Sequence, residues 1–267
     1  MIKKVAKKVL NWRLKFYEED YEGAVNDSGE GAQKLTPVYD LTWHDLSISP
    51  DFLSKLHPWQ KVNMYPGIAS ISRKNQMARN LMRMAKHYPD QYNFFPKTWV
   101  LPSESNDLRN HFAANSQNPN SQKVTYIVKP DGMSQGKGIF LSRNFDHILD
   151  ITSNRKENQL LEENVDQDKI GYVVQQYVDR PHLVEDLKYD LRIYVMLYGI
   201  NPLRIYLHKM AFARFCTEPY QKPDRDNLKN CFMHLTNYAI NKHSDNYQDC
   251  DDGEGDEGHK RSLGAIL

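Results

Sequence analysis

The run Val124-Thr125-Tyr126-Ile127-Val128-Lys129-Pro130-Asp131-Gly132-Met133-Ser134-Gln135-Gly136-Lys137-Gly138-Ile139-Phe140-Leu141 is the most informative segment of this chain. Its first six residues are rich in β-branched and aromatic side chains and read as a strand. Pro130-Asp131-Gly132 reads as a turn, and Gly138 to Leu141 as the returning strand. Between the strands lie glycines and Lys137. Glycine lets backbone N–H groups approach an anion closely, and a lysine supplies a point charge for phosphate oxygens. Two familiar phosphate loops do not match. A Walker loop needs four residues between its glycines and Ser or Thr after its lysine, but only Met133, Ser134 and Gln135 intervene and Gly138 follows. The dinucleotide fingerprint fails at Leu141, where its third glycine belongs. Two readings therefore stand: a hairpin with a flexible glycine turn, or an anion cradle. Lys129 also has two. It is a solvent-facing strand end, or a buried cation that needs an anionic partner.

Outward from this segment, strands dominate the second half and helices the first, which predicts an α+β fold. Tyr172 to Val178 reads as a strand. Leu191 to Tyr198 is a nearly continuous apolar strand, turned by Gly199-Ile200-Asn201-Pro202 into another at Leu203 to Leu207. Upstream, residues 2–10 place Ile2, Val5, Ala6 and Val9 on one helical face, and a strand is expected at Val38 to Trp43. A second helix is expected from Ser72, with Met77, Leu81, Met84, Ala85 and Tyr88 on its apolar face and Pro89 stopping it. Asn106 to Gln122 reads as a short helix and a loop. The acidic run Ser244 to Gly258 reads as a disordered surface loop.

Lys188-Tyr189-Asp190-Leu191-Arg192-Ile193-Tyr194 carries a second signal. Alternation along a strand puts Lys188, Asp190 and Arg192 on one face, either as an exposed charge ladder or as the lining of a polar cleft. Asp190 can hold the neighbouring cations in place or accept from a ribose hydroxyl, and Arg192 can clamp a carboxylate or phosphate. Arg214, between Phe212 and Phe215, needs a partner. Glu218 is one candidate and a ligand carboxylate the other. His234-Leu235-Thr236-Asn237-Tyr238 gathers imidazole, hydroxyl, amide and phenol groups, and Thr236 or Asn237 can equally serve as a helix N-cap.

Bulk composition narrows the classes. The 267 residues are 40% hydrophobic and 26% charged, with a net charge of +1, and suit two or three small lobes. No apolar run approaches the roughly 18 residues of a spanning helix, and the lysine-rich start leads into Asn11-Trp12-Arg13 rather than a signal-peptide core. The near-neutral balance gives no expectation of nucleic-acid binding, yet permits a locally positive cleft facing an acidic partner. Cys216, Cys231 and Cys250 stand far apart, offering neither a disulfide framework nor a zinc site. No HExxH, EF-hand or GxSxG pattern is present, so the residues themselves designate no metal ligands.

Taken in order, Met64-Tyr65-Pro66-Gly67, Ser72-Arg73-Lys74-Asn75-Gln76-Met77-Ala78-Arg79-Asn80-Leu81, Phe95-Pro96-Lys97-Thr98-Trp99-Val100-Leu101-Pro102, the Lys129–Ile139 loop, Gln175-Gln176-Tyr177-Val178, Lys188 to Tyr194, Ala213-Arg214-Phe215 and His234 to Lys242 resemble the tubulin–tyrosine ligase-like family. The resemblance is to its polyglutamylases, of the chain-elongating type. It implies an ATP-grasp fold, with an N-terminal lobe (1–65), a central lobe (66–177) and a C-terminal lobe (178–267) around a nucleotide cleft. It further implies that Lys74 and Lys129 meet ATP phosphates and that Gln135 and Gly136 cover them. Gln175, Gln176, Tyr177 and Val178 would form the adenine hinge, and Lys188, Asp190, Thr236 and Asn237 would contact the nucleotide. Arg214 and Tyr238 would hold free L-glutamate, with Arg192 near the reacting carboxylates. The implied partners are tubulin and microtubules, without nucleic acid or membrane. The implied setting is the cytoplasm and cytoskeleton, with cilium or basal body as further sites. Mg2+ is implied too, through Asp and Glu-x-Asn ligands that would lie beyond Leu267. A tubulin glycylase, or a non-catalytic microtubule-associated protein on the same scaffold, are the rival readings.

Overall fold

The computed structural model describes residues 2–14, 39–44, 48–117, 123–153, 171–249 and 257–267, which form two compact units, Met1–Pro66 and Gly67–Leu267. The first unit contains helix α1 (Ile2–Lys8), strand β1 (Leu41–Thr42), helix α2 (Pro50–Ser54) and strand β2 (Lys61–Val62), with β1 and β2 paired in parallel. Of the apolar face expected for α1, Ala6 is buried while Val5 and Val9 are exposed. Side-chain amides tie this unit together. Gln60 donates to the Tyr39 carbonyl at 2.7 Å, and Asn63 exchanges two hydrogen bonds with the His44 backbone. Ser49 caps α2 by accepting from the Phe52 N–H.

In the second unit, α3 (Ala69–Ser72) and α4 (Lys74–His87) precede β3 (Thr98–Leu101) and α5 (Ser105–Ser116). Next come β4 (Tyr126–Pro130), β5 (Phe140–Ser142), α6 (Phe145–Ser153) and β6 (Tyr172–Gln176). The four strands form an antiparallel sheet in the order β3-β6-β4-β5. β4 alternates: Tyr126, Val128 and Pro130 are buried on one face, while Ile127 and Lys129 are half-buried on the other. The first face packs Trp99, Tyr126, Val128, Tyr172 and Val174 against Leu108 of α5 and Ile148 of α6. On the opposite face Leu141, Tyr177 and Leu235 form a smaller cluster with Ile127, Ile139 and Ile240. Helix α4 buries Ala78 against Val100 and Val173. Met77 and Tyr88, expected on its buried face, are 40% and 53% exposed. Ala78 is the helix residue packed against the sheet, and Tyr88 lies past the last helical residue as the C-cap, with a non-helical backbone.

A second antiparallel sheet has the order β12-β11-β8-β7, built from β7 (Leu183–Val184), β8 (Leu187–Arg192), β11 (Phe212–Phe215) and β12 (Lys260–Ser262). Between β8 and β11 the chain leaves as a separate hairpin of β9 (Val195–Ile200) and β10 (Leu203–Leu207). The turn falls where the sequence places it, but the expected continuous strand from Leu191 is interrupted at Ile193 and Tyr194. Ile205, Tyr206 and Leu207 are all more than half exposed, so this hairpin is apolar without being core. The short helices α7 (Cys231–His234) and α8 (Tyr238–Asn241) follow β11. The fold is thus α+β with antiparallel sheets in its second unit. Among the described residues no helix is long and apolar enough to cross a membrane. The expected strand at Val38–Trp43 is shortened to β1. Parts of the predicted loops after α5 and around the acidic run lie outside the described residues.

Candidate functional site

Lys129 leaves β4 on the face opposite the larger core, beside Gln175, because the strand's alternation commits Val128 and Pro130 to the other side. Its ammonium donates to Gln175 Oε1 at 2.8 Å, and Gln175 Nε2 in turn donates to Thr98 Oγ1 at 2.9 Å, which fixes the amide. Burial, together with the like charges of Lys74 and Lys188, pulls the Lys129 pKa down from 10.5 to about 8. Lys129 is thus a half-buried cation held by an amide, lying between the two alternatives read from sequence. Lys74, the first residue of α4, donates to the carbonyls of Pro130 and Met133 at 2.9 and 2.6 Å. It holds the turn after β4, and burial lowers its pKa against a weaker opposing pull from Asp131.

Lys188 on β8 donates to the Tyr177 hydroxyl at 2.8 Å and to the His234 carbonyl at 2.7 Å, with its Nζ 4.5 Å from the Tyr177 ring centroid. Burial lowers its pKa as well. Each ammonium has three donors. The protein takes one from Lys129 and two each from Lys74 and Lys188, leaving four N–H groups from three electrostatically coupled cations. Among the described residues no carboxylate pairs directly with any of the three. A half-buried concentration of positive charge of this kind is suited to a polyanion.

The glycine loop closes on the same region. Gly136 has φ +86°, and a Cβ there would stand 2.6 Å from Ile240 Cδ1 and 3.0 Å from the Asn237 amide. The loop therefore lies against Asn237 and Ile240, and its positive φ favours glycine there. Gln135 precedes it, itself at φ 63°. Asn237 occupies the N-cap of α8 without making a side-chain cap bond, so its amide is not spent on the cap. Thr236 is buried. Asn241 anchors this segment. It accepts from the Thr217 N–H and hydroxyl and donates to the carbonyls of Leu235 and Asn237. Gln176 bonds through its N–H to the Lys97 carbonyl and Tyr177 through its own to the Thr125 carbonyl, while Val178 is 54% exposed.

Arg214 pairs with Asp190 directly across β11 and β8, through Nε at 2.8 Å and Nη2 at 2.5 Å. Glu218, the partner considered from sequence, instead accepts from Asn230. Cross-strand register brings Asp190 opposite Arg214, whereas Glu218 lies beyond the end of β11. Two of the five guanidinium N–H groups are used, and three remain. Arg192 lies beyond this pair, exposed, with its guanidinium 5.6 Å from the Tyr194 ring. Tyr238 is half exposed and linked to the Arg214 strand by a ring sequence: Tyr238 to Tyr247 at 5.8 Å, Tyr247 to His259 at 5.6 Å, and the Phe215 N–H on the His259 carbonyl. Sequence reasoning gave no role to Asn241, Tyr220 or the Glu185–Arg261 pair, which closes with Nη–Oε distances of 2.8 and 2.5 Å. Among the described residues no group of three His, Cys, Asp or Glu side chains gathers to hold a metal.

The model of the tubulin-tyrosine ligase family matches residues 52–267. Over 268 aligned residues the chain is 41% identical to a probable beta-tubulin polyglutamylase of Tetrahymena thermophila, covering all of this chain and 19% of that protein. It is 38% identical to human tubulin polyglutamylase TTLL13, over 85% of this chain and 24% of the relative. Human tubulin polyglutamylase TTLL6 is 37% identical, with 85% and 22% covered. The chain thus spans roughly a fifth to a quarter of the length of these relatives. With most of its length matched by one family model, and the three lysines, the glycine loop and the Asn237 segment drawn into one region of its second unit, this chain belongs to the tubulin-tyrosine ligase family.

Proposed function

We propose that this chain carries the nucleotide-binding part of an ATP-dependent ligase that joins glutamate to glutamate side chains in the acidic tails of tubulin. The observation that supports this most is the coupled set Lys74, Lys129 and Lys188, which among the described residues keeps four N–H groups and has no carboxylate partner. The likeness to tubulin polyglutamylases supplies the substrate class and association with the cytoskeleton. ATP lies between the β3-β6-β4-β5 and β12-β11-β8-β7 sheets in this reading, with residues 66–177 and 178–267 as its two lobes. Lys129, Lys188 and Lys74 hold the phosphates, and Gln135 and Gly136 cover them. Gln175 to Val178 run along the adenine, with Asp190, Thr236 and Asn237 beside the nucleotide.

The proposed reaction has two steps. A tail γ-carboxylate oxygen attacks the γ-phosphorus and ADP leaves, giving an acyl phosphate. The amine of free L-glutamate then attacks the acyl carbon, phosphate leaves, the amide bond forms and a proton is released. Every reactant is anionic, so fixed cations that replace water lower the repulsion between them. Arg214 retains three N–H groups beyond its Asp190 pair and can bind the glutamate carboxylate, with Tyr238 beside it and Arg192 toward the tail. Mg2+ would neutralise phosphate charge in such a reaction, but the described residues offer it no ligand set and no step here depends on it. One other reading of the same scaffold is a non-catalytic microtubule-associated module. Labelled L-glutamate or glycine, ATP and microtubules incubated with the protein separate the two. Glutamate transferred to tubulin tails supports the ligase, transfer of glycine alone replaces it with a glycylase, and microtubule binding without transfer supports the module.

A further inference from the structure

We infer that His234 is a positioning residue for Lys188, acting through the Tyr177 hydroxyl and through its own carbonyl. This rests on the reading of Lys188 as a ligand for the nucleotide phosphates. Both acceptors of the Lys188 ammonium trace back to one residue. One is the His234 carbonyl at 2.7 Å, and the other is the Tyr177 oxygen at 2.8 Å, itself 3.1 Å from His234 Nδ1.

The direction of each proton follows from the two ends of this chain of hydrogen bonds. At the far end Asn227 Oδ1 accepts from the Asp224 N–H at 2.8 Å, and Asn227 Nδ2 donates to the Lys222 carbonyl at 3.0 Å. The amide orientation is therefore set, and its oxygen faces His234 Nε2 at 3.4 Å. An acceptor there calls for a proton on Nε2. A neutral ring then leaves Nδ1 as an acceptor, which the Tyr177 hydroxyl satisfies by donating. At the near end an ammonium can only donate, so Tyr177 must accept from Lys188. All the polarities agree: Lys188 to Tyr177, Tyr177 to His234 Nδ1, and His234 Nε2 to Asn227.

The Tyr177 hydroxyl has a second neighbour in the Tyr220 hydroxyl, and the arrangement holds where the Tyr177 proton goes to His234 Nδ1 rather than to Tyr220. His234 is 1% exposed, and its Tyr177 and Tyr220 contacts are edge-on at 5.5 and 6.0 Å. Tyr220 gives its own proton to the Asp179 carbonyl. Burial and the Lys188 charge depress the His234 pKa to about 4, overcoming the opposing influence of Asn227 and Asp224. A proton on Nδ1 would compete with Lys188 for the Tyr177 oxygen. With that oxygen held as an acceptor, two Lys188 N–H bonds are committed and the third keeps one direction for an anion. The function of His234 is thus to orient a cation at the site, without itself touching the ligand.

Nitrogen-15 NMR of the wild-type chain at pH 7 should show His234 neutral, with a protonated Nε2 and an unprotonated Nδ1. A protonated Nδ1, in either a neutral or a charged ring, overturns the inference. The Lys188 ammonium should give a slowly exchanging 1H–15Nζ signal that Tyr177→Phe removes while circular dichroism stays unchanged. His234→Asn, whose amide oxygen can replace the Nδ1 acceptor, should retain that signal, and His234→Gln should lose it. Equal behaviour of these two variants, or a Lys188 signal insensitive to Tyr177→Phe, contradicts the inference. These readouts need no nucleotide. With ATP present, Tyr177→Phe should weaken binding about tenfold. An altered Lys188 signal without any ATP binding refutes the nucleotide reading and leaves the positioning role standing.

Discussion

Replacing Lys129 with methionine should make the folded protein more stable while removing its affinity for polyphosphate. The magnitude follows from the displacement of its pKa from 10.5 to about 8. At about 1.4 kcal/mol for each factor of ten, holding this lysine protonated at pH 7 costs the fold about 3 kcal/mol. Methionine preserves much of the side-chain volume and removes the charge. The lost hydrogen bond to Gln175 returns about 1 kcal/mol of that gain. A net gain of about 2 kcal/mol raises the melting temperature of a unit of roughly 200 residues by about 4–8 °C.

The sign with pH is also defined. The folded-state pKa lies below the unfolded value, so between about pH 8 and 10.5 the unfolded chain binds more protons and wild-type stability rises with pH. The advantage of Lys129→Met is therefore greatest below pH 8 and fades across that window. Differential scanning fluorimetry of both proteins from pH 6.5 to 10.5 measures it. A variant less stable than wild type at pH 7, or a difference independent of pH, refutes the argument that Lys129 is a desolvated cation destabilised by the like charges of Lys74 and Lys188.

Other expectations follow from the same geometry. Gly136→Ala forces a Cβ at φ +86° to within 2.6 Å of Ile240 Cδ1, and should cost at least about 1–2 kcal/mol and weaken ATP binding. Unchanged urea unfolding and affinity would show that the loop does not rest on the Asn237 segment. Asp190→Asn removes one charge of a pair whose side chains are 26% and 39% exposed, so it should cost only about 1 kcal/mol, with part of the loss erased by 1 M salt. A loss of several kcal/mol would mean that the pair is far better shielded. The apolar β9–β10 hairpin should bind the dye ANS in the folded state. Lysine at both Ile205 and Leu207, which are 54% and 70% exposed, should reduce the fluorescence without lowering the melting temperature.

Much of the fold was legible because its signals are local. The β-branched and aromatic run Val124–Lys129 and the glycines after it announce β4, the turn and β5, although β4 runs on through Pro130 and β5 is shifted to Phe140–Ser142, and Gly199 to Pro202 announces the second hairpin. What remained hidden depends on partners distant in sequence. The Lys260–Ser262 strand has no apolar pattern, and pairing with β11 and the reach of Arg261 to Glu185 define it. Arg214 finds Asp190 across the sheet because strand register decides, rather than proximity along the chain. Leu191 to Tyr198 has a core-like composition, yet its apolar residues are largely exposed, a property of packing that composition does not encode. At the candidate site the residue types were readable, but the spacing of 57 residues between Tyr177 and His234 conceals the hydrogen bond that joins them.

The claim on which the functional account rests is that Lys129 shares one polyanion with Lys74 and Lys188. Carbon-13 NMR of lysine Cε, followed through a pH titration with and without saturating ATP, tests it at the atom concerned. The account predicts that Lys129 titrates near 8 in the free protein and that ATP returns it toward the ordinary 10.5, because phosphate charge favours the protonated form. A Lys129 that titrates at 10.5 in the free protein, or one whose midpoint stays near 8 when ATP is bound, contradicts it.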